Sequence, residues 1–178
     1  MKKIFVIFTL FCAMFMISCG GSSDSPEDGS GGNSDDSAAC PSVDGYIWSS
    51  LSSIFMPWHE AIEYCENLKE CGHSDWKLPT ISELRTLIKN CSGSQTGGAC
   101  AVSDPDHLSS DDWNEKDCRC EYMENNGGYY SKLGDDDKVR LWSSSVLSDH
   151  FNYWYVSFFS GYVTNSGMDY SNYVRCVR

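Results

Sequence analysis

Hydrophobic residues recur at helical spacing in two stretches of the middle of the chain. The first stretch begins at Pro57 and ends near Leu68, and one helical face collects its apolar positions, which are Trp58, Ala61, Ile62, Cys65 and Leu68. The second follows Pro79, where Thr80 as N-cap and Glu83 three residues later predict a capping box. Its buried stripe consists of Ile81, Leu84, Leu87 and Ile88. The pattern therefore predicts two amphipathic helices, with Cys65 on the buried face of the first.

Strand-like segments flank these helices on both sides. A short strand is predicted at residues 46–49, directly after a turn at Gly45. Four more are predicted in the C-terminal third, at residues 141–145, 153–159, 162–164 and 173–177. Ser160 and Gly161 form the predicted turn between the middle two. Along residues 153–159 successive side chains should alternate between two faces of a sheet.

Residues 90–137 show no sustained period and are rich in Gly, Ser, Asp and Cys. A loop of this length is unusual inside a compact domain unless something pins it. Four cysteines lie within it, which are Cys91, Cys100, Cys118 and Cys120. We therefore expect disulfides to hold this region in place.

The first 39 residues predict export and tethering. Lys2 and Lys3 precede an apolar run at residues 4–17, which is too short to cross a bilayer and is typical of a signal peptide. Cys19 follows it in a context that resembles a bacterial lipobox, so residues 1–18 are a predicted lipoprotein signal peptide, with ordinary cleavage as the alternative. Residues 19–39 then form a lipidated cysteine and a flexible linker, because its Gly, Ser and Asp residues cannot bury enough surface to order it. The linker reaches roughly 25 Å.

The remaining residues, 40–178, are predicted to form a single domain. No Asp follows Cys19, and this favours location at the outer membrane or cell surface. The membrane partner would be lipid, held through acylated Cys19. The chain has 13 basic and 25 acidic residues, and loss of Lys2 and Lys3 with the signal leaves 11 basic against the same 25 acidic. This charge opposes binding to phosphate backbones, so we expect no nucleic-acid partner. It also weighs against sulfated polysaccharides.

Eight cysteines remain in the exported domain after Cys12 and Cys19 are set aside. They are Cys40, Cys65, Cys71, Cys91, Cys100, Cys118, Cys120 and Cys176. An even number in an exported chain predicts four disulfides, and no zinc-ligand spacing is complete. Cys40 and Cys71 flank the first strand and helix and are expected to pair. Cys118 and Cys120 are too close to bridge each other, so each should reach Cys91 or Cys100.

Several separated motifs resemble one bacterial family. They are Trp-His-Glu-Ala-Ile-Glu-Tyr-Cys-Glu-Asn-Leu at 58–68, Asp-Trp-Lys-Leu-Pro-Thr at 75–80, Glu-Leu-Arg-Thr-Leu-Ile at 83–88 and Tyr-Val-Arg-Cys-Val-Arg at 173–178. Over about residues 43–178 the chain resembles the C-terminal domain of the Legionella collagen-like adhesin and the Fibrobacter succinogenes major paralogous domain. The resemblance implies an α+β, C-type-lectin-like domain, with two helices packed on a small antiparallel sheet and a long disulfide-pinned loop region. It also implies a Cys65–Cys176 bridge, and it assigns Trp154, Val156 and Phe158 to the core.

No complete catalytic motif is found, so the chain is not predicted to be an enzyme. His59 and Glu60 begin a zincin-like helix, but Glu63 stands where the second His is required. The enzymatic alternative with a structural basis is a formylglycine-generating-enzyme-like catalyst, whose relatives share the broad fold and use reactive cysteines.

We expect no cofactor, although acidic clusters leave a structural Ca²⁺ open. These clusters are Asp104 with Asp106, Asp111 with Asp112, and Asp135-Asp136-Asp137.

The face of residues 153–159 that lies opposite the assigned core is rich in tyrosine, and the following turns add amides. The predicted ligand-binding residues are Tyr153, Tyr155, Tyr162, Asn165, Asp169, Tyr170 and Asn172. Tyrosine and asparagine combine rigid contact area with adaptable hydrogen bonding, as in paratopes. We therefore predict a cell-surface lipoprotein whose domain binds an extracellular protein, glycan or matrix component. The alternative is a structural envelope lipoprotein without a soluble ligand.

Overall fold

The computed structural model describes residues 39–120, 130–134 and 140–178, and these residues form an α+β domain. Its two helices are α1 (Trp58–Asn67) and α2 (Ile81–Thr86), with a 3₁₀ turn at Ser110–Asp112. Its strands are β1 (Ser42–Val43), β2 (Tyr46–Ile47), β3 (Met56–Pro57), β4 (Arg140–Val146), β5 (Asn152–Ser157), β6 (Tyr162–Gly167) and β7 (Ser171–Asn172). Neither helix, within the described ranges, has the length and apolar character needed to span a bilayer.

Both predicted helices are present. The capping box of α2 is complete, because the Glu83 backbone N–H donates to the Thr80 hydroxyl at 3.2 Å and the Thr80 backbone N–H donates to the Glu83 carboxylate at 2.8 Å. This exchange satisfies backbone donors that would otherwise lack partners at the helix start. Regular helix ends earlier than the apolar stripe, yet Leu87 and Ile88 beyond it are still buried.

The central sheet is an antiparallel meander in the order β4-β5-β6. The predicted turn between β5 and β6 is confirmed, and Gly161 in it has a φ of +59°. A Cβ added at Gly161 would lie 3.0 Å from the Cys91 sulfur, so both the backbone angle and the space favour glycine. Elsewhere β1 and β2 form a hairpin, and β3 pairs with β7.

Two hydrophobic clusters cover the two faces of this sheet. One cluster joins α2 to Trp154, Val156 and Phe158, which are all fully buried, as the resemblance implied. The other joins α1 to Trp142 and Tyr153. The expectation that Tyr153 faces away from a core is therefore wrong, because α1 builds a second core on that side of the sheet.

The C-terminal segment is held by pairings with distant parts of the chain. The predicted strand at 173–177 does not form. Short β7 precedes this stretch, and isolated bridges within it pair Val177 with both Trp48 and Lys77. Arg178 exchanges two backbone hydrogen bonds of 3.0 Å with Ile47. The segment thus joins the start of the domain to its end without forming one continuous strand.

Four disulfides staple the domain. Cys65–Cys176, the pair that the resemblance implied, connects α1 to the C-terminal segment. Cys40 and Cys71, which flank the first strand and helix, form a bridge as expected. Within the long loop region Cys120 is bonded to Cys91, and Cys118 is bonded to Cys100. The described part of that region is thereby cross-linked to itself.

Candidate functional site

An open groove lies where the end of the β4–β5 pair meets the β3–β7 pair. Its volume is about 450 Å³. The residues that line it are Phe55, Arg140, Ser157, Phe159, Ser171, Asn172 and Tyr173, and we call this set the aromatic groove. The backbone register explains the assembly, since Arg140 pairs with Ser157 across β4–β5 and β7 runs beside β3.

Exposed phenyl rings form walls of the aromatic groove. Phe55 is 62 % exposed and Phe159 is 54 % exposed. Phe55 meets Tyr173 edge-on, with ring centroids 5.9 Å apart. Large aromatic side chains that stay in water cost hydrophobic free energy, and an exposed cluster of them is typical of an interaction site.

The polar groups of the aromatic groove are concentrated on β4 and β7. Arg140 is exposed at the start of β4, and its guanidinium lies 6.0 Å from the centre of the Tyr155 ring. Asn172 is only 5 % exposed, and its side-chain nitrogen Nδ2 has no hydrogen-bond acceptor among the described residues. This nitrogen is shielded from solvent, and an amide donor buried without a partner is costly.

Next to the aromatic groove, tyrosines and arginines share one side of the sheet. Tyr155 packs edge-on against Trp142, and Arg119 lies 5.7 Å from the centre of the Tyr162 ring. Burial raises the pKa of Tyr155, while Arg140 lowers it and Tyr162 and Tyr170 raise it further.

The structure separates the seven residues predicted to bind a ligand. Tyr153 is 9 % exposed and stacks on Trp58 with centroids 3.9 Å apart, so it belongs to the core. Tyr155, Tyr162 and Asn165 are half-buried along the sheet, and Asp169 and Tyr170 are exposed after β6. Asn172 alone of the seven lines the aromatic groove, and it is buried there.

Sequence reasoning did not predict the other six lining residues of the aromatic groove as ligand-binding, which are Phe55, Arg140, Ser157, Phe159, Ser171 and Tyr173. Phe55 lies in an irregular stretch before β3, where no periodicity indicates a face. A usable signal was the adjacent pair Ile54-Phe55, two large apolar residues in a segment without a predicted element, both of which are exposed.

Two members of the acidic clusters considered for Ca²⁺, Asp104 and Asp112, have hydrogen-bond partners within the protein. Asp104 accepts hydrogen bonds from the Ser145 hydroxyl at 2.7 Å and from the Ser82 backbone N–H at 3.1 Å. The pKa of Asp112 is lowered, chiefly by hydrogen bonds from the hydroxyl and backbone N–H of Ser109 and then by His107. Asp106 and Asp111 are exposed, and residues 135–137 lie outside the described ranges.

The described residues bring three potential metal ligands together at one place, Cys40, Glu70 and Cys71. The two cysteines share a disulfide, which removes their thiolates as ligands. All eight cysteines of residues 40–178 are bridged in this way, so the formylglycine-generating-enzyme-like alternative has no free thiol there.

Fold and surface together define a disulfide-stapled α+β domain with an open aromatic groove. The chain belongs to the Lcl C-terminal domain family, whose model matches residues 38–178, and the family resemblance of the motifs is thereby confirmed. Membership relates the chain to adhesin-like domains. No curated protein matched the chain.

Proposed function

We propose that residues 40–178 form an adhesin-like head that binds an extracellular ligand through the aromatic groove. The observation that carries the proposal is the pair of exposed phenyl rings, Phe55 and Phe159, beside the exposed cation of Arg140. A volume of about 450 Å³ lies within the range of ligand pockets, roughly 300–1,000 Å³. Binding would return these rings to an apolar environment.

The proposal includes a C-type-lectin-like fold for this head. Three features support it: two helices on opposite faces of a small antiparallel sheet, a C-terminal segment paired with the start of the domain, and the bridge from α1 to that segment. In such a fold the termini lie together and loops remain for recognition. No catalytic step is part of the proposal.

Phe55→Ala tests the site, and a substitution at another exposed phenylalanine is its matched control. Phe151 is 78 % exposed and does not line the aromatic groove. The full chain in detergent micelles would be applied to arrays of matrix proteins and glycans. We expect Phe55→Ala to weaken binding by at least tenfold, since removal of an aromatic anchor costs about 2 kcal/mol or more, and Phe151→Ala to bind normally.

Equal losses in the two variants, or unchanged binding in both, would exclude the aromatic groove as the site. Absence of binding to every array member would favour the structural envelope lipoprotein.

Display at the cell surface is the second part of the proposal. It rests on the lipobox-like context of Cys19 after the apolar run at 4–17, with residues 19–39 as tether. We propose lipid attachment at Cys19 and location at the outer membrane or cell surface.

Cys19→Ser should release the protein from membranes or leave its precursor unprocessed, because no thiol remains for the thioether. Detergent partitioning of both proteins measures this, and unchanged partitioning would rule out lipidation at Cys19.

A further inference from the structure

We propose that the Cys40–Cys71 bridge is a modification site, at which external dithiols without negative charge exchange with the disulfide and loosen the start of the domain. The inference goes beyond the proposed function, because it needs no ligand in the aromatic groove. Its starting point is the exposure of the four bridges. In Cys40–Cys71 neither cysteine is buried, whereas each of the other three bridges contains at least one cysteine that is no more than 3 % exposed.

The chemistry at this bridge is thiol–disulfide exchange. It begins when a thiolate attacks one sulfur of a disulfide, so its rate depends on access to that sulfur. The first thiolate of the dithiol forms a mixed disulfide with one cysteine, and the other cysteine leaves as a thiolate that takes up a proton. The second thiol of the reagent then displaces the first cysteine and closes the reagent's own disulfide. The protein gains two electrons and two protons, and the dithiol is oxidised.

The local backbone presents Cys71 at the tip of a tight turn. Glu70 and His73 exchange backbone hydrogen bonds of 3.1 and 2.9 Å, so Cys71 and Gly72 are the two central residues of the turn. Both have a positive φ, of +50° and +76°, as a type I′ turn requires, and Gly72 is exposed. Cys71 therefore lies at the edge of the domain, where a small thiol can approach it.

A carboxylate stands beside both sulfurs. An oxygen of Glu70 and the sulfurs of Cys40 and Cys71 all lie within 4.8 Å of one another. The Ser50 backbone N–H donates to Glu70 Oε1 at 3.0 Å, which restricts where the carboxylate can move. Every attacking thiolate carries one negative charge, so a second negative charge on the reagent adds to the repulsion and an ammonium group offsets it. Glu70 thus selects among thiols by their charge.

Opening the bridge removes the covalent hold on the start of the domain. The contacts that stay there include the β1–β2 hairpin, with two residues in each strand, and the Trp48 backbone N–H, which donates to the Pro41 carbonyl at 2.9 Å. Such a short hairpin has little stability of its own in water. The junction between tether and domain should therefore open more often, while the other three bridges keep the two cores closed.

The first test is reduction of the full chain in detergent micelles by dithiothreitol, a neutral dithiol, under native conditions. Samples alkylated at set times would be mapped by peptide mass spectrometry. We expect Cys40 and Cys71 to be alkylated at least about tenfold faster than the buried pair Cys100 and Cys118, which is the internal control. Earlier labelling of any other pair, or labelling of all four bridges at one rate, would overturn the proposal.

Charge selection is tested with cationic cysteamine and anionic 2-mercaptoethanesulfonate. We expect the ratio of their rates at Cys40–Cys71 to fall at least about threefold in Glu70→Gln, whose amide oxygen can still accept from Ser50. Comparing ratios between proteins cancels the intrinsic reactivity of each reagent. Glu60→Gln removes the same charge from the first turn of α1, outside the group of three, and should keep the original ratio. An unchanged ratio in Glu70→Gln would contradict the role of its charge.

Hydrogen exchange measures the loosening of the junction. After selective reduction the Trp48 amide should exchange at least about tenfold faster, whereas the Val177 amide, which donates to the Lys77 carbonyl, should keep its rate. A chain with both Cys40→Ser and Cys71→Ser should show the same difference without any reductant. If that variant fails to fold, the reduced original chain still decides. Equal exchange of Trp48 in the oxidised and reduced chains would overturn the proposal and leave the aromatic groove untouched.

Discussion

Tyr153 is part of a core because Trp58 covers its ring. Its ring lies 3.9 Å from the Trp58 ring at the start of α1, in an almost parallel stack. Its neighbour Trp154 points to the opposite side and is fully buried. A strand with a helix on each face has no outward side over the length that the helices cover, so adjacent residues can both belong to a core.

Tyr153→Ala and Trp154→Ala should both destabilise the domain, each by about 3–5 kcal/mol, as for other large aromatic side chains lost from a core. Tyr170→Ala is the control and should change the free energy of unfolding by about 0.5 kcal/mol or less, because its side chain is exposed. Denaturant unfolding with the disulfides intact measures all three. If Tyr153→Ala proved as mild as Tyr170→Ala, the second core beneath α1 would be wrong.

Among the elements, α2 organises the loop that follows it through one side chain. The buried guanidinium of Arg85 donates to four backbone carbonyls, those of Ser94, Gln95, Cys100 and Val102. Burial also lowers the pKa of Arg85 from its ordinary value. The stretch from Ser94 to Val102, which contains no strand, thus obtains a common hydrogen-bond centre from the neighbouring helix.

Arg85→Met should loosen this loop, because methionine has similar length but leaves four carbonyls without their donor. Each unsatisfied buried carbonyl costs about 1–3 kcal/mol, so the expected loss of stability is at least about 3 kcal/mol. Hydrogen exchange should accelerate at the backbone amides of Gln95, Gly98 and Cys100, which are hydrogen-bonded within the loop. Arg119→Met, at an exposed arginine paired with Glu115, should leave these rates unchanged. Equal exchange in both variants would contradict the role of Arg85.

Local patterns predicted the elements well where the deciding contacts are local. Thr80 and Glu83 are three residues apart, so their capping box follows from sequence alone. The segment at 173–177 was predicted as a strand because its pattern is apolar, but its partners come from distant parts of the chain and bind it at isolated points. The aromatic groove was hardest to predict, since Phe55 and Tyr173 meet only after folding.

At the scale of the whole molecule, the disulfides differ in how much chain they close. Cys65–Cys176 spans 111 residues, whereas Cys100–Cys118 spans 18. A bridge reduces the entropy of the unfolded chain more when it closes a longer loop. All four of these cysteines are buried, so losses of packing should be similar for the two bridges.

Replacing both Cys65 and Cys176 by Ala should therefore cost more than replacing both Cys100 and Cys118. The chain-entropy model gives about 4.7 kcal/mol for a loop near 100 residues and about 3 kcal/mol for one near 15. Urea unfolding of the two double variants measures the difference. A larger loss for the shorter loop would show that strain or packing, and not loop length, decides the stability that these bridges supply.

Two of these bridges, Cys40–Cys71 and Cys65–Cys176, also act in series when the molecule is pulled. Consider a load between Cys40, where the proposed tether ends, and Asn172 in the aromatic groove. Along the backbone these residues are 132 positions apart, about 450 Å at full extension. Through the bridges the path has only six residue steps from Cys71 to Cys65 and four from Cys176 to Asn172. With the two disulfide crossings, whose Cα–Cα distances are 5.8 and 5.5 Å, it is about 45 Å long. Shear flow on a captured partner would thus be borne by covalent bonds, and the head could lengthen by only a few nanometres before the load reached them.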